Sequence, residues 1–265
     1  MDYQSVTYTT KDRIAFVTLN RPESGNAIDV QMAVELDEVC RRINQDRNVG
    51  AVVLSGAGEQ VFCAGEDLAQ FTGTDLGEAA SLDAVKDFAL RYNVSASVAG
   101  IECPVVAAIN GDAMGAGLAL ALSCDLRIAS SQAVFGVPDV ARGCLMANGV
   151  TQWLPRIVGR GKAMELMLTA EPIAAPEAHR IGLVHQVVPP DQVSSEAHKL
   201  AGEFAAKAPL ALRYVKEAVN KGLDMTLEQG LRLECDLYMM LQTTQDRIEG
   251  VRAFREKRQP SFRGE

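Results

Sequence analysis

The sequence predicts an α/β fold, a covered and largely parallel sheet followed by a helical tail. Three observations carry this. Strand-like runs alternate with stretches of helical spacing as far as about residue 190. Two of the runs, Gly50–Gly56 (GAVVLSG) and Pro104–Gly111 (PVVAAING), are continuously apolar, the mark of strands covered on both faces. After one last strand at Val184–Val188 the pattern is helical to the end.

Taken in order, Arg13–Asn20 (RIAFVTLN) alternates and is rich in β-branched residues, which reads as a strand ended by Asn20-Arg21-Pro22. Residues 28–46 place Val30, Met32, Val34, Leu36, Val39 and Ile43 at mainly helical spacing. The buried strand at 50–56 follows, then a loop from Gly56 to Gly65. Asp67 is suited to cap a short helix, Gly73–Gly77 has the composition of a mobile loop, and 82–100 is again helical. The strand at 104–111 leads into a small-residue helix at Met114–Ala121. Asp125–Ala129 and Ala133–Val137 are strand-like, and from Asn148 the spacing is helical. Beyond 190, helices are expected at 194–207, 210–221, 226–242 and 245–257. Leu231, Leu233, Leu237, Met240 and Leu241 give the third of these a broad apolar face. Such a face needs a partner surface, in its own domain or on a neighbouring subunit.

The chain has 265 residues, 48% of them hydrophobic, which suffices to bury a core without staples. Its formal net charge of -8 disfavours nucleic-acid and anionic-membrane partners, which need a basic field. Cys40, Cys63, Cys103, Cys124, Cys144 and Cys235 are scattered, with no C-x-x-C and no histidine at zinc spacing. They read as buried reduced thiols, and no metal is expected. The N-terminus lacks a signal-peptide h-region, and the longest apolar stretch, Ala113–Cys124, is shorter than the roughly 20 residues of a span. A cytoplasmic location is the expectation. His179 and His198 fall at surface-like helical positions and carry no catalytic weight.

Two glycine-containing turns, each from strand into helix, are left as candidates for chemistry. They are Phe62–Leu68 (FCAGEDL) and Asn110–Gly117 (NGDAMGAG). Small residues there let a ligand approach the backbone, and the first N–H groups of a helix lack intrahelical acceptors. Two such turns that converge supply paired donors for one developing negative charge.

These residues resemble the crotonase, or enoyl-CoA hydratase/isomerase, superfamily. The resemblance begins at N-R-P-x-x-x-N-A (Asn20, Arg21, Pro22, Asn26, Ala27) and runs through both turns. It continues through SCDLRIA at 123–129, F-G-x-P-D at 135–139, TQWLPRIVG at 151–159, AMELMLT at 163–169 and E-G-V-R-A-F-x-E-K-R at 249–258, nearly the whole chain. It implies a ββα spiral catalytic core over 1–190 and a C-terminal helical trimerisation region over 191–265, assembled as a homotrimer or homohexamer. It implies an acyl-CoA thioester substrate and no cofactor beyond the CoA that the substrate carries. The thioester enolate would be held by the backbone N–H groups of Glu66 and Ala116. CoA would meet Ala64, Glu66, Asp67, Leu68, Tyr238, Phe254 and Lys257, the last three from the tail and often at a neighbour's site. The tail's Arg252, Arg255, Lys257 and Arg258 also suit the phosphates, although alone they read as a solvated helix face.

The chain departs from the family pattern at the acids. Hydratases of the family carry two glutamates; here the first position is Ala119 and the second is Asp139. The loop that follows is altered to Leu145–Val150. One carboxylate suffices to move a proton between carbons of an enolate, whereas two jointly orient and deprotonate a water. The resemblance therefore favours double-bond isomerisation, or a related single-base step, with Asp139 as acid and base. To work near neutral pH it should be desolvated. The alternative is a hydratase or dehydratase in which Glu66 or Asp112 substitutes for the missing acid, although Asp112 reads better as a helix N-cap. Arg142 and Asn148 are further polar candidates. From another class, a non-catalytic CoA-thioester or RNA-binding homologue is the alternative that Ala119 motivates.

Overall fold

The computed structural model describes residues 3–67, 93–146 and 148–265. The expected helix start after Asp67, the Gly73–Gly77 segment and the candidate Leu68 lie outside them.

The chain opens with a hairpin that the sequence reading missed. β1 (Val6–Lys11) pairs antiparallel with β2 (Ile14–Leu19). Asp12 and Arg13, with φ of 51° and 64°, make the turn between them, the two-residue geometry that matches strand twist. β3 (Ala51–Gly56), β5 (Val105–Ile109), β7 (Leu126–Ser130) and β10 (Gln186–Val188) then extend the sheet in parallel, in the order β1-β2-β3-β5-β7-β10. A second sheet has the order β4 (Val61–Cys63), β6 (Asp112–Met114), β8 (Val134–Gly136), β9 (Ile173–Ala174), parallel except for β9. β3 thus leads to β4, β5 to β6, and β7 to β8. Each turn of the chain lays one strand in the large sheet and one in the small sheet before a helix, which is the ββα spiral.

Helix α1 (Val30–Gln45) starts where the Asp29 carboxylate accepts from the Met32 N–H at 2.7 Å, an N-cap. It buries Met32, Leu36, Val39 and Ile43. α2 (Val94–Ala99) is the described end of the helical stretch 82–100, and α3 (Ala116–Ser123) is buried along its whole length. A helix apolar on all sides belongs inside a core. α4 (Val150–Val158), α5 (Arg160–Thr169) and α6 (Ala175–Arg180) follow. α7 (Val193–Ala205) closes the other face of the large sheet, placing Val193, Ala197, Ala201 and Ala205 against Ile14, Val53, Val106 and Ile128. The first helix of the tail is therefore part of the core.

α8 (Pro209–Gly222), α9 (Leu227–Gln242) and α10 (Gln245–Glu256) lie beyond. The Lys216 ammonium ties α8 to the core through the Asp125 carboxylate at 2.7 Å and the Cys103 carbonyl at 3.2 Å. Leu237 is buried, but Leu227 and Leu231 stay 80% and 58% exposed, so most of the apolar face of α9 is uncovered within one chain. Cys40, Cys63, Cys103 and Cys124 are buried as expected, whereas Cys144 and Cys235 are exposed. Among the described residues no helix is long and apolar enough to cross a membrane, and no cluster of His, Cys, Asp and Glu could hold a metal ion.

One buried acid pins the edge strand. The Glu35 carboxylate accepts from the backbone N–H groups of Gln4, Ser5 and Val6 at 2.8–3.0 Å and from the Gln31 amide at 2.7 Å. Burial alone would raise its pKa, but these donors outweigh it and hold the group below the ordinary glutamate value. A depressed folded pKa stabilises above the unfolded pKa, and that stability is lost as pH falls through the folded one. Glu35→Gln is expected to cost about 1.5–3 kcal/mol at neutral pH, read by urea denaturation. The gap to the unsubstituted protein should close on acidification; a gap independent of pH would disprove the assignment.

Candidate active site

The first turn is built on the loop before α1. The Gly65 carbonyl accepts from the Ile28 N–H at 2.8 Å, and the Asp67 N–H donates to the Ile28 carbonyl at 2.9 Å. In an extended segment successive N–H groups face opposite sides, so the Glu66 N–H between them points away from this partner. Two side chains fix the loop. Asn26, fully buried, donates to the carbonyls of Ala57 and Val61 at 2.9 and 3.0 Å and accepts from the Arg21 N–H at 3.1 Å. The Arg21 guanidinium meets the Ala27 carbonyl at 2.7 Å and the Asp67 carboxylate at 3.1 Å. The Asn-Arg-Pro…Asn-Ala pattern thus has a physical meaning: it backs the Gly65 turn. Asp67, expected as a helix cap or a CoA contact, has its carboxylate on Arg21.

The second turn leaves β6 at Met114. Gly115 donates to the Gly136 carbonyl at 2.9 Å and adopts φ 51°, ψ -119°, a conformation open to glycine and strained for other residues. α3 begins at the next residue, so the Ala116 N–H is one of the first-turn donors without an intrahelical acceptor. Among the described residues neither it nor the Glu66 N–H donates to a protein acceptor. The two turns meet: a Cβ on Gly65 would lie 3.1 Å from the Met114 carbonyl oxygen and 3.6 Å from the Ala116 nitrogen. The convergence expected from the sequence is present.

Asp139 opens a 3-10 turn, Asp139–Arg142, at the mouth of this junction. A Cβ on Gly115 would sit 3.5 Å from its Oδ2. Among the described residues that oxygen is buried without a hydrogen-bond partner, a costly arrangement that calls for a reason. Burial raises the Asp139 pKa above the ordinary aspartate value, opposed by its own backbone N–H and by the Arg142 charge. Gly65, Glu66, Gly115, Ala116, Asp139 and Arg142 line a crevice of about 20 Å³, room for roughly one water.

Two residues emerge that sequence reasoning undervalued. The Asn148 amide donates to Glu66 Oε1 at 2.9 Å. Asn148 itself has φ 55°, a left-handed backbone that Asn tolerates. The Glu66 pKa is raised, by burial first and by the Asp139 charge second, with the Asn148 bond opposing. Glu66, expected through its N–H and as one of two substitutes for the missing acid, thus has a carboxyl that feels the Asp139 charge. Asp112 is corrected: it lies in β6 and its carboxylate accepts from the Val134 N–H at 3.0 Å, so it joins two strands and caps no helix. Ala119 is fully buried in the core. Ala64 is exposed beside the crevice. Tyr238 and Phe254 are 59% and 84% exposed on α9 and α10, and Lys257 ends α10 with φ 53°. None of these three lines the crevice of its own chain.

The model of the family described as enoyl-CoA hydratase/isomerase matches residues 9–265. The (E)-benzylidenesuccinyl-CoA hydratase of Thauera aromatica is 40% identical over 260 residues, 98% of this chain and 99% of that protein. The crotonyl-CoA hydratase of Syntrophomonas wolfei is 37% identical over 262 residues, 99% of each. The crystal structure of an enoyl-CoA hydratase from Bacillus anthracis superposes with a TM-score of 0.93 at 36% identity, covering 99% of this chain and 100% of that one.

Gly115→Ala forces a side chain into the conformation that aims the Ala116 N–H. Losing one such donor typically costs about 10²–10³ in rate. We expect that loss in kcat with an enoyl-CoA substrate, with the fold retained by circular dichroism. Wild-type turnover would show that Ala116 is no donor in the reaction.

Proposed function

This chain belongs to the enoyl-CoA hydratase/isomerase family, and from that premise we propose an enolate mechanism with Asp139 as the proton-transfer group. The substrate is an acyl-CoA thioester. Removing a proton beside the thioester, or adding to the conjugated double bond, sends an electron pair onto the thioester oxygen. Two preorganised N–H donors, from Glu66 and Ala116, suit that developing charge because water need not reorganise around it. The observation that carries the reading is the buried, unpartnered Oδ2 of Asp139 beside those two free donors. An oxygen held ready and desolvated is what a general base requires.

With Ala119 in α3, Asp139 alone supports movement of the double bond. Its carboxylate takes a proton from one carbon of the acyl chain, the enolate persists between the N–H groups, and the same carboxyl returns the proton to another carbon. Double-bond isomerisation, or a related single-base step, is the reaction we propose for Asp139 acting by itself. CoA binding near Ala64, Glu66, Asp67 and Leu68 is part of the same proposal; Arg21, paired with both Asp67 and Asp29, offsets part of the acidity there. The uncovered apolar residues of α8 and α9, among them Val215, Val219, Leu227 and Leu231, support assembly as a homotrimer or homohexamer. Tyr238, Phe254 and Lys257 would then serve the CoA of a neighbouring subunit. Sedimentation as a monomer at micromolar concentration would overturn the assembly.

Asp139→Asn keeps the shape and removes the base. It is expected to lower α-proton exchange into deuterated water by about 10²–10⁴, while acyl-CoA affinity is retained. Because the working form is ionised and its pKa is raised, exchange should fall as pH drops through a value above the ordinary aspartate range. Exchange unaffected by the substitution would remove Asp139 from the mechanism.

A further inference from the structure

We infer that the Glu66 carboxyl, and not only the Glu66 N–H, is catalytic: with Asp139 it forms an acid–base pair that adds water across the double bond of an enoyl-CoA. This is an activity beyond single-base proton transfer, and it rests on the enolate reading above.

The geometry comes first. Glu66 and Asp139 stand on two different turns and line one crevice with the paired N–H donors. Glu66 does not swing freely there, because the Asn148 amide holds Oε1 at 2.9 Å. Asn148 is in turn set by its left-handed backbone, one residue before Gly149, the N-cap of α4. The other candidate for a substitute acid, Asp112, is committed to Val134. The position in α3 from which family hydratases present their first glutamate is Ala119, sealed in the core. A second carboxyl thus reaches the crevice from the Gly65 turn instead of from α3.

The electrostatics follow. Burial acts against ionisation of both carboxyls, and the negative charge of one acts against ionisation of the other. The charge of Asp139 raises Glu66, and burial raises both. Arg142 works in the opposite direction on Asp139, and Asn148 on Glu66. Water addition needs one carboxylate and one carboxylic acid at the same crevice, and Asp139 and Glu66 can fill these two roles. Water gives a proton to the carboxylate as its oxygen bonds to the β-carbon. The π electrons of the double bond move to the α-carbon and onto the thioester oxygen. The carboxylic acid then protonates the α-carbon, and the pair again holds one proton. Removal of water is the same sequence reversed.

Crotonyl-CoA in ¹⁸O-labelled water tests this. The wild-type protein should place ¹⁸O at the β-carbon. Glu66→Gln should lower the ratio of hydration to isomerisation of a trans-3-enoyl-CoA by about 10²–10⁴. Asn148 is a positioning residue, and Asn148→Ala provides a readout that mere packing would not move. It removes a bond that favours ionised Glu66, so the alkaline limb of the hydration pH profile should shift upward. Unlabelled product, or a Glu66→Gln variant hydrating within tenfold of wild type, would overturn the inference. The two readings separate: loss of isomerisation and hydration in Asp139→Asn, with hydration intact in Glu66→Gln, sinks only this one. Activity intact in Asp139→Asn sinks the enolate reading itself.

Discussion

Everything at the candidate site depends on how closely two strand-to-helix turns approach one another. A Cβ on Gly65 would press to 3.1 Å on the Met114 carbonyl, and Gly115 holds a conformation that strains any other residue. Neither turn could be relaxed without separating the Glu66 and Ala116 N–H groups. The spiral makes this approach unavoidable. β4 and β6 are neighbours in the small sheet, so the segments leaving them emerge side by side, with two sets of backbone donors pointing into one space. Asn26 and Arg21 then brace the first turn from behind, and buried α3 braces the second.

That backbone frame leaves the acid–base chemistry free to vary. The donors are main-chain groups, so the side chains at 66 and 116 are not fixed by enolate binding. Position 66 carries a glutamate, and the loop after Asp139 carries Asn148 to hold it. α3, by contrast, carries no charged side chain and is buried along its length. A carboxylate at Ala119 would be closed in by a core cluster containing Leu118, Leu120 and Phe62, where an unpaired charge is expensive. A carboxyl on the turn instead of the helix is partly buried, and its pKa is raised as that of Asp139 is.

The parts of this molecule that sequence patterning exposes are those with a strong period or a continuous apolar run. β3 and β5 are such runs, and α1 repeats its apolar residues on one face, so their places follow directly. β1 is hidden because its sequence, VTYTTK, is mostly polar and largely solvent-facing; what makes it a strand is the hairpin turn and the Glu35 carboxylate, both tertiary features. β4 and β9 have three and two residues, too few for any period. The paired N–H donors are legible only because two such turns occur together; singly, small residues there serve packing, as Gly111 against Gln60 and Gly117 against Cys63 do. The Glu66–Asn148–Asp139 relation is not, since it joins residues 82 apart through one amide. Asp112 is misread for a related reason: an acidic residue ahead of a helix resembles a cap, but the intervening β6 takes it into the sheet.

The same spacing of effects explains why composition misleads about charge here. A net charge of -8 describes the surface, yet the site's behaviour is set by two carboxyls that burial pushes toward neutrality. Arg142, beside Asp139, and Asn148, on Glu66, pull in the other direction. A site held between these influences responds to changes in burial and hydrogen bonding, since each acts on the pKa of one carboxyl or both. Substrate entry would make such a shift, since an acyl chain over the crevice removes solvent from both carboxyls at once. Desolvation acts against ionisation at each. Occupancy of the crevice would thus move both carboxyls in the same direction, through residues that the fold already holds in place.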